Sequence, residues 1–395
     1  MKPKIRFKGF EGEWKTSTIR DFTTSFSGGT PTAGASEFYG GNIPFIRSGE
    51  IHESKTELFL TEAGLNNSSA KVVEKGTLLY ALYGATSGEV GISKIRGAIN
   101  QAILAIYPNK TVDKRFLANY LQSHKQKIVG ELLQGGQGNL SGALVKSISV
   151  TYPNNREQQT ISDYVDSLDS QISAATSRLA SLKQMKAASL QAMFPQEGET
   201  VPKIRFKGFE GEWKKVKFSE LYERSSIKND LSFGTDKIIS VANMYFIKNS
   251  RQVDDDYLRS YNIMRLGDIA FEGNKSKNFA HGRLVENTIG DGIVSHVFIV
   301  MKPISKNYDL NFWKYYINNE NIMGNILVRS TKSSTMMTDL VVDDFLKESI
   351  LVPSYEEQIE IGKILTSLDR QISLQSQRLE KLKQIKSACL DKMFV

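Results

Sequence analysis

The chain has 395 residues, 51 Lys plus Arg against 43 Asp plus Glu, and a net charge of +8 that residues 1–200 and 201–395 share equally. Its one cysteine, Cys389, excludes an internal disulfide and reads as a small apolar residue on a helix. The longest apolar runs, such as GIVSHVFIVM at Gly292–Met301, are too short to span a bilayer and read as strands; with no signal sequence, a cytoplasmic protein is expected. Positive charge divided evenly between two halves is compatible with a polyanion engaged at two places.

The chain opens on PKIRFKGFEGEWK, Pro3–Lys15, which returns unchanged at Pro202–Lys214. Behind the first copy come NIPFIRSGEI, GTLLYALYG and NQAILAIYP, β-rich runs separated by glycine and polar turns. DKRFLANYLQSHKQKIVGELL then predicts one helix. A second repeated block starts at Pro153: residues 153–194 align without a gap on 353–394 and share 20 of 42 positions. In its first copy Ile161, Val165, Leu168, Ile172, Ala175, Leu179 and Leu182 lead into the stem of Lys186, Ser189 and Met193. They alternate steps of four and three, the a/d seam of a coiled coil. Ile361, Leu365, Leu368, Ile372, Gln375, Leu379, Leu382, Lys386, Cys389 and Met393 repeat that register.

Asn154 with Glu157, and Ser354 with Glu357, stand at capping-box spacing behind Pro153 and Pro353, and Pro195 stops the first helix. About 38 helical residues would span about 57 Å. Two narrow apolar seams predict that the helices pack on each other, antiparallel if the halves are related by a pseudo-twofold. Between the blocks the second half, with DKIISVANMYF, keeps only scattered correspondences such as Gly76 with Gly267 and Pro108 with Pro303. The expected organisation is a first α+β globule at 1–153, a spacer helix at 154–194, a second globule at 195–353 and a C-terminal spacer helix at 354–395.

Catalytic signatures are absent from the sequence. There is no phosphate-binding GxxxxGK[ST] loop, no Asn/Asp-Pro-Pro-aromatic tetrapeptide of amino methyltransferases, and no thiolate zinc set. HESK at His52–Lys55 reads as a solvated turn. Asp254, Asp255 and Asp256 would point different ways on a strand, so they read as a solvated loop or an acidic patch rather than a metal site. Recognition chemistry remains. The first globule offers Arg47 and Ser48 in FIRSGEI, Tyr83, Ser87 and Lys94 in the glycine-flanked LYGATSGEVGISKIRGAINQAI, and Gln134, Gln137, Asn139 and Ser141 in LLQGGQGNLSG. Amides pair bidentately with adenine and arginine with guanine. The second globule offers Asn274 in EGNKSKNFAHGR as a further DNA contact, and Lys275 and Lys277 there, with Arg329 and Lys332 in VRSTKSSTMMT, as phosphate contacts.

The paired PKIRFKGFEGEW openings, the P…EQ…I…SLD.QI helix starts and the R L..LK..K…MF helix ends resemble the specificity subunit of type I restriction-modification systems over essentially the whole chain. NIPFIRSGEI…LYGATSGEVGIS…GAINQAILAI is similar to a target-recognition domain of that family. The resemblance implies two tandem target-recognition domains, each reading half of a split site in double-stranded DNA, with the helix pair fixing the spacing. It implies no catalysis and no cofactor in this chain. Modification subunits would methylate adenine from S-adenosylmethionine, and restriction subunits would use ATP and Mg²⁺. A free-standing two-site DNA-binding protein and a coiled-coil scaffold are the competing readings.

Overall fold

The computed structural model describes residues 2–132, 139–248, 254–333 and 337–395. Its contacts divide the chain into two compact units, one of residues 1–176 with 377–395, the other of residues 177–376. No helix among the described residues is long and apolar enough to cross a membrane.

The first unit contains β1 (Lys15–Thr18), β2 (Thr23–Ser27), β3 (Tyr39–Ile46), β4 (Leu58–Leu60), β5 (Lys71–Val73), β6 (Leu78–Ala81), β7 (Val90–Ile92), β8 (Gly97–Ile99), β9 (Ile103–Pro108) and β10 (Ser149–Tyr152). They form one sheet of order β2-β9-β6-β7, a second of order β4-β3-β8-β5, and the pair β1-β10. Leu79, Ala81, Ile103 and Ala105 from the first sheet and Ile46 and Ile99 from the second are buried together, which is the alternation expected of strands with one face on a core. The stretch read as one helix is two, Lys114–Ser123 and Lys125–Leu132. The break is local. His124 stacks on Tyr120 with ring centroids 4.3 Å apart, and its Nδ1 hydrogen-bonds the Tyr120 carbonyl oxygen at 3.0 Å.

The second unit contains β11 (Lys214–Lys217), β12 (Tyr222–Ser225), β13 (Ile239–Ser240), β14 (Tyr245–Phe246), β15 (Asn262–Met264), β16 (Ile269–Glu272), β17 (Arg283–Glu286), β18 (Gly292–Val294), β19 (Ile299–Pro303), β20 (Thr331–Ser333), β21 (Thr338–Leu340) and β22 (Ser349–Val352). Its β12-β19-β16-β17 sheet and β11-β22 pair repeat those of the first unit, whereas the second four-stranded sheet gives way to the pairs β13-β14 and β15-β18. Asp254–Asp256 correct the sequence reading. Asp254 is the N-cap and Asp255 and Asp256 the first turn of the helix Asp255–Ser260, where carboxylates meet the positive end of the helix dipole.

The repeated blocks form helices Asn155–Ala192 and Tyr355–Met393. Ile161, Val165, Leu168, Ala175 and Leu182 are buried on one, and Ile361, Leu365, Leu368, Gln375, Leu379 and Leu382 on the other, as the seam predicts. Within the first unit the ammonium of Lys386 pairs with Asp169, and Ile161 shares a core with Met393, so the two segments run antiparallel. The second unit repeats this with Lys186 on Asp369 and Ile361 beside Met193. Each helix therefore ends in the other copy's globule. Phe394 lies against Phe116 at 5.2 Å between centroids, under Trp14, while Phe194 lies against Tyr316 at 5.1 Å, under Trp213.

Candidate nucleic-acid interface

The identical peptides are built into the frame. Arg6 grips Glu157 side-on, Nε and Nη2 each 2.7 Å from a carboxylate oxygen, while the Ile5 N–H donates to the Lys392 carbonyl at 3.0 Å. Arg205 grips Glu357 at 2.7 and 2.8 Å, and Ile204 N–H donates to the Ala192 carbonyl at 2.9 Å. Each peptide thus ties the start of one long helix to the end of the other. This changes the role expected for the two glutamates. Asn154 and Ser354 do cap the helices, accepting from Glu157 and Glu357 N–H at 3.0 and 3.3 Å. The glutamate side chains turn to arginine instead of closing the capping box, because a buried carboxylate needs a countercharge. The neighbouring glutamines also repeat: Gln158 Oε1 accepts from Asp113 N–H at 2.7 Å and Gln358 Oε1 from Asp309 N–H at 3.2 Å, fixing the start of a globule helix.

On this frame one end of the first globule gathers most of the described candidates. Ile46 at the end of β3 pairs in parallel with Ile99 at the end of β8, so Arg47 and Ser48 leave the sheet beside the β8–β9 turn. Leu82 N–H bonds the Ala102 carbonyl in that turn, and Leu140 N–H bonds the Leu82 carbonyl, both at 2.8–2.9 Å. Tyr83 and Asn139, both exposed, and Ser141 therefore adjoin the same turn. Ser141 accepts from Leu144 N–H as a helix cap, and the Ser87 hydroxyl donates to the Leu82 carbonyl, so both hydroxyls shape loops. Lys94 is exposed but lies elsewhere: it follows Ile92, whose partner Leu78 is at the far end of β6 from Tyr83. Gln134 and Gln137 lie outside the described residues. Exposed Gln101, at the β8–β9 turn itself, was not singled out from sequence, although an amide beside Asn100 is the signal that could have found it.

Arg47 does not stand free. Its Nε and Nη2 lie 3.2 and 2.9 Å from the two oxygens of Glu50, and Nη2 is also 2.6 Å from Glu57. Burial would raise the Glu50 carboxyl, but hydrogen bonds from Arg47, from backbone N–H groups and from Thr56 hold it down at about 2. The Arg47 guanidinium is correspondingly pushed up by its bonds to Glu50 and Glu57.

In the second globule the loop after β16 meets the β20–β21 hairpin. Thr338 N–H donates to the Gly273 carbonyl at 2.8 Å, Asn274 bridges Met337, and Lys275 Nζ is 2.7 Å from Ser333 Oγ. Gly273 permits this approach, since a Cβ there would fall 2.1 Å from the Thr338 carbonyl oxygen. Lys277 and Lys332 are exposed beside them. Arg329, at the base of the hairpin, is committed to Glu348 through bonds of 2.9 and 2.7 Å, and Glu348 in turn accepts Phe218 N–H through its carbonyl.

The family described as Type I restriction modification DNA specificity domain has a model that matches residues 11–184 and 210–384. The type I restriction enzyme MjaIX specificity subunit of Methanocaldococcus jannaschii is 31% identical over 170 residues, 40% of this chain and 38% of that protein. The MjaVIII specificity subunit of the same organism is 19% identical over 96% of this chain and 91% of its own length. In fold, the chain resembles the S subunit of a type I system from M. genitalium, with a TM-score of 0.60 at 15% identity over 100% of this chain and 99% of that one. The HsdS subunit from Thermoanaerobacter tengcongensis gives 0.51 at 15% identity, covering 97% and 96%. Two matches of the family model, covering most of the sequence, coincide with the two wired frames. The chain belongs to the family of type I restriction-modification DNA specificity domains, and carries two of them in tandem.

Proposed function

We propose that this chain is the non-catalytic DNA-reading subunit of a type I restriction-modification complex, each globule reading one half of a bipartite target. The long helices set the spacing of the halves and dock modification subunits. In this reading S-adenosylmethionine is used by the modification subunits, and ATP and Mg²⁺ by restriction subunits, not by this chain. The observation that carries the reading is the contrast between two frames wired bond for bond alike and two loop ends that share no residue pattern. A constant frame suits a partner met twice; divergent ends suit two different base sequences. One similar solved structure is titled for complex assembly of a type I system, which supports the partner assignment.

Co-expression with a modification subunit, followed by purification and mapping of methylated adenines, tests the reading. The expected result is a stable complex and one split methylated site. A chain that binds DNA specifically but captures no modification subunit would instead be a free-standing DNA-binding protein. Deleting Ala175–Ser181 together with Gln375–Lys381 keeps the heptad register and shortens the helices by roughly 10 Å. The original site should then lose methylation; unchanged methylation would refute the spacing role.

A further inference from the structure

Glu50 is the hub of the loop between β3 and β4. Its carboxylate accepts from Arg47 N–H at 3.0 Å, Thr56 Oγ1 at 3.1 Å and Glu57 N–H at 3.1 Å, besides both guanidinium nitrogens of Arg47. Thr56 Oγ1 also lies 2.7 Å from the Phe45 carbonyl, tying the hub to β3. The Glu50 side chain is 13% exposed and that of Glu57 is 82% exposed. One carboxylate is thus part of the fold, and the other sits in solvent on the outer side of the same guanidinium.

A guanidinium presents two bidentate edges. Glu50 takes the Nε–Nη2 edge, which leaves the Nη1–Nη2 edge as the one able to pair with guanine O6 and N7 or with a phosphate. Glu57 occupies that edge through Nη2, and the bonds of Arg47 to Glu50 and Glu57 run through Nε and Nη2, not Nη1. A carboxylate with two acceptor oxygens is the side-chain group that most resembles those acceptors.

We infer that Glu50 is a positioning residue that aims Arg47 at one base of the target, and that Glu57 is an internal competitor holding the reading edge until DNA displaces it. The inference deepens the DNA-reading proposal and rests on it. Glu50 acts only through Arg47: without it the fork is free to rotate, and charge remains but aim is lost. Glu57 acts by occupancy. To engage DNA, Arg47 must give up the Glu57 contact, and the displaced carboxylate then faces the phosphates.

The test uses the full-length chain assembled with its modification subunit, with methylated sites mapped by sequencing and affinity measured on the mapped duplex and on a scrambled duplex. Arg47→Lys should relax one base position in one half-site, because lysine keeps the charge and loses the fork. Glu50→Gln should relax that same position, with target affinity reduced roughly tenfold while affinity for the scrambled duplex is kept; the lost hub bonds lower the melting temperature, but the chain stays folded and assembled. Glu57→Gln should tighten binding about two- to fivefold on both duplexes, as suits an exposed ion pair. That gain should vanish in the Arg47→Ala, Glu57→Gln double variant. A gain that persists without Arg47 would overturn the competitor role, reducing Glu57 to a repelling charge. Relaxation by Glu50→Gln at a different position, or at both half-sites, would overturn the positioning role. If Arg47→Lys changes no base preference while the wild type keeps a specific split site, the inference fails and the DNA-reading proposal stands. If the wild-type complex shows no sequence preference at all, the proposal itself fails and takes the inference with it.

Discussion

In the first globule Ile92, Val112 and Thr23 occupy the places that Glu286, Tyr308 and Tyr222 hold in the second. The correspondence follows from the backbone. Gly76 N–H bonds the Ser93 carbonyl as Gly267 N–H bonds that of Asn287, and Asn109 N–H bonds the Phe22 carbonyl as Ile304 N–H bonds that of Leu221. One globule fills this corner with Ile92 and Val112, packed on its core, and with Thr23, whose hydroxyl donates to the Ile19 carbonyl at 2.8 Å. The other buries a chain of hydroxyls, Tyr222 to Tyr308 at 3.0 Å and Tyr308 donating to Glu286, whose carboxyl burial raises well above the usual range. Beside it Asp268 is pushed up to about 6 by burial, against a hydrogen bond from Arg265 N–H. The same frame therefore tolerates an apolar or a polar interior. What it does not vary is the pair of clamps at the long helices.

The crossed helix ends give the largest expected effect. Phe394→Ala should cost the first unit about 3–5 kcal/mol, and Phe194→Ala the second unit a similar amount. Hydrogen exchange should report it as loss of protection in the helix Lys114–Ser123 for Phe394→Ala, and in Leu310–Tyr316 for Phe194→Ala. Protection lost in the opposite unit would break the crossed assignment. Next come the clamps. Arg6→Ala and Arg205→Ala each strand a buried glutamate, at about 3 kcal/mol apiece, and local exchange should show matched losses in the two units. Clearly unequal losses would mean that the repeated wiring is not energetically repeated.

A smaller effect separates the polar interior from the apolar one. Folded Asp268 keeps its proton to about pH 6, whereas an unfolded aspartate releases it near pH 4. Between these values the folded state binds more protons, so its stability falls as pH rises. Asp268→Asn should remove that fall, matching wild type below pH 4 and melting about 5–10 °C higher at pH 7. A variant with the same pH profile as wild type would show that Asp268 is not held protonated. The smallest effect concerns the loop ends. Lys332→Ala should weaken DNA binding a few-fold regardless of sequence and lower the salt slope by about 1. Salt titration checks this, and a loss confined to the target sequence would make Lys332 a base reader.

The helices were legible because their signal is a period: Ile161 to Leu182 keep a 3.5-residue spacing, and of those positions Ile161, Val165, Leu168, Ala175 and Leu182 are buried, with Ile172 and Leu179 half-buried. The destination of the helix ends was not. Met193-Phe194 and Met393-Phe394 are the same dipeptide, so nothing local says which globule each completes. Glu157 was misread for a related reason, since the capping-box partner is three residues away while Arg6 lies far back in the sequence and carries full charge. His124 ended a helix through a ring stack and a side-chain bond that propensity does not register. At the candidate interface the residue types were visible as Arg47, Tyr83 and Asn139. Their engagement with neighbours, and the separation of Lys94 from the rest, depended on strand register, which the short β-rich runs could not fix.

Crossed helix ends also impose an order on synthesis. Residues 310–316 leave the ribosome after Phe194, so the second globule can close its core once its strands and the first turns of the C-terminal helix, with Glu357, Ile361 and Leu365, are made. The first globule, translated earlier, must wait with Trp14, Phe116 and Tyr120 short of their cover until Met393 and Phe394 emerge. A nascent chain would therefore mature in reverse order, the later half settling first and the earlier half sealed by the final turn of helix. Any early stop in translation would leave the first recognition module unfinished, so an intact first unit is itself a sign that the second has been made.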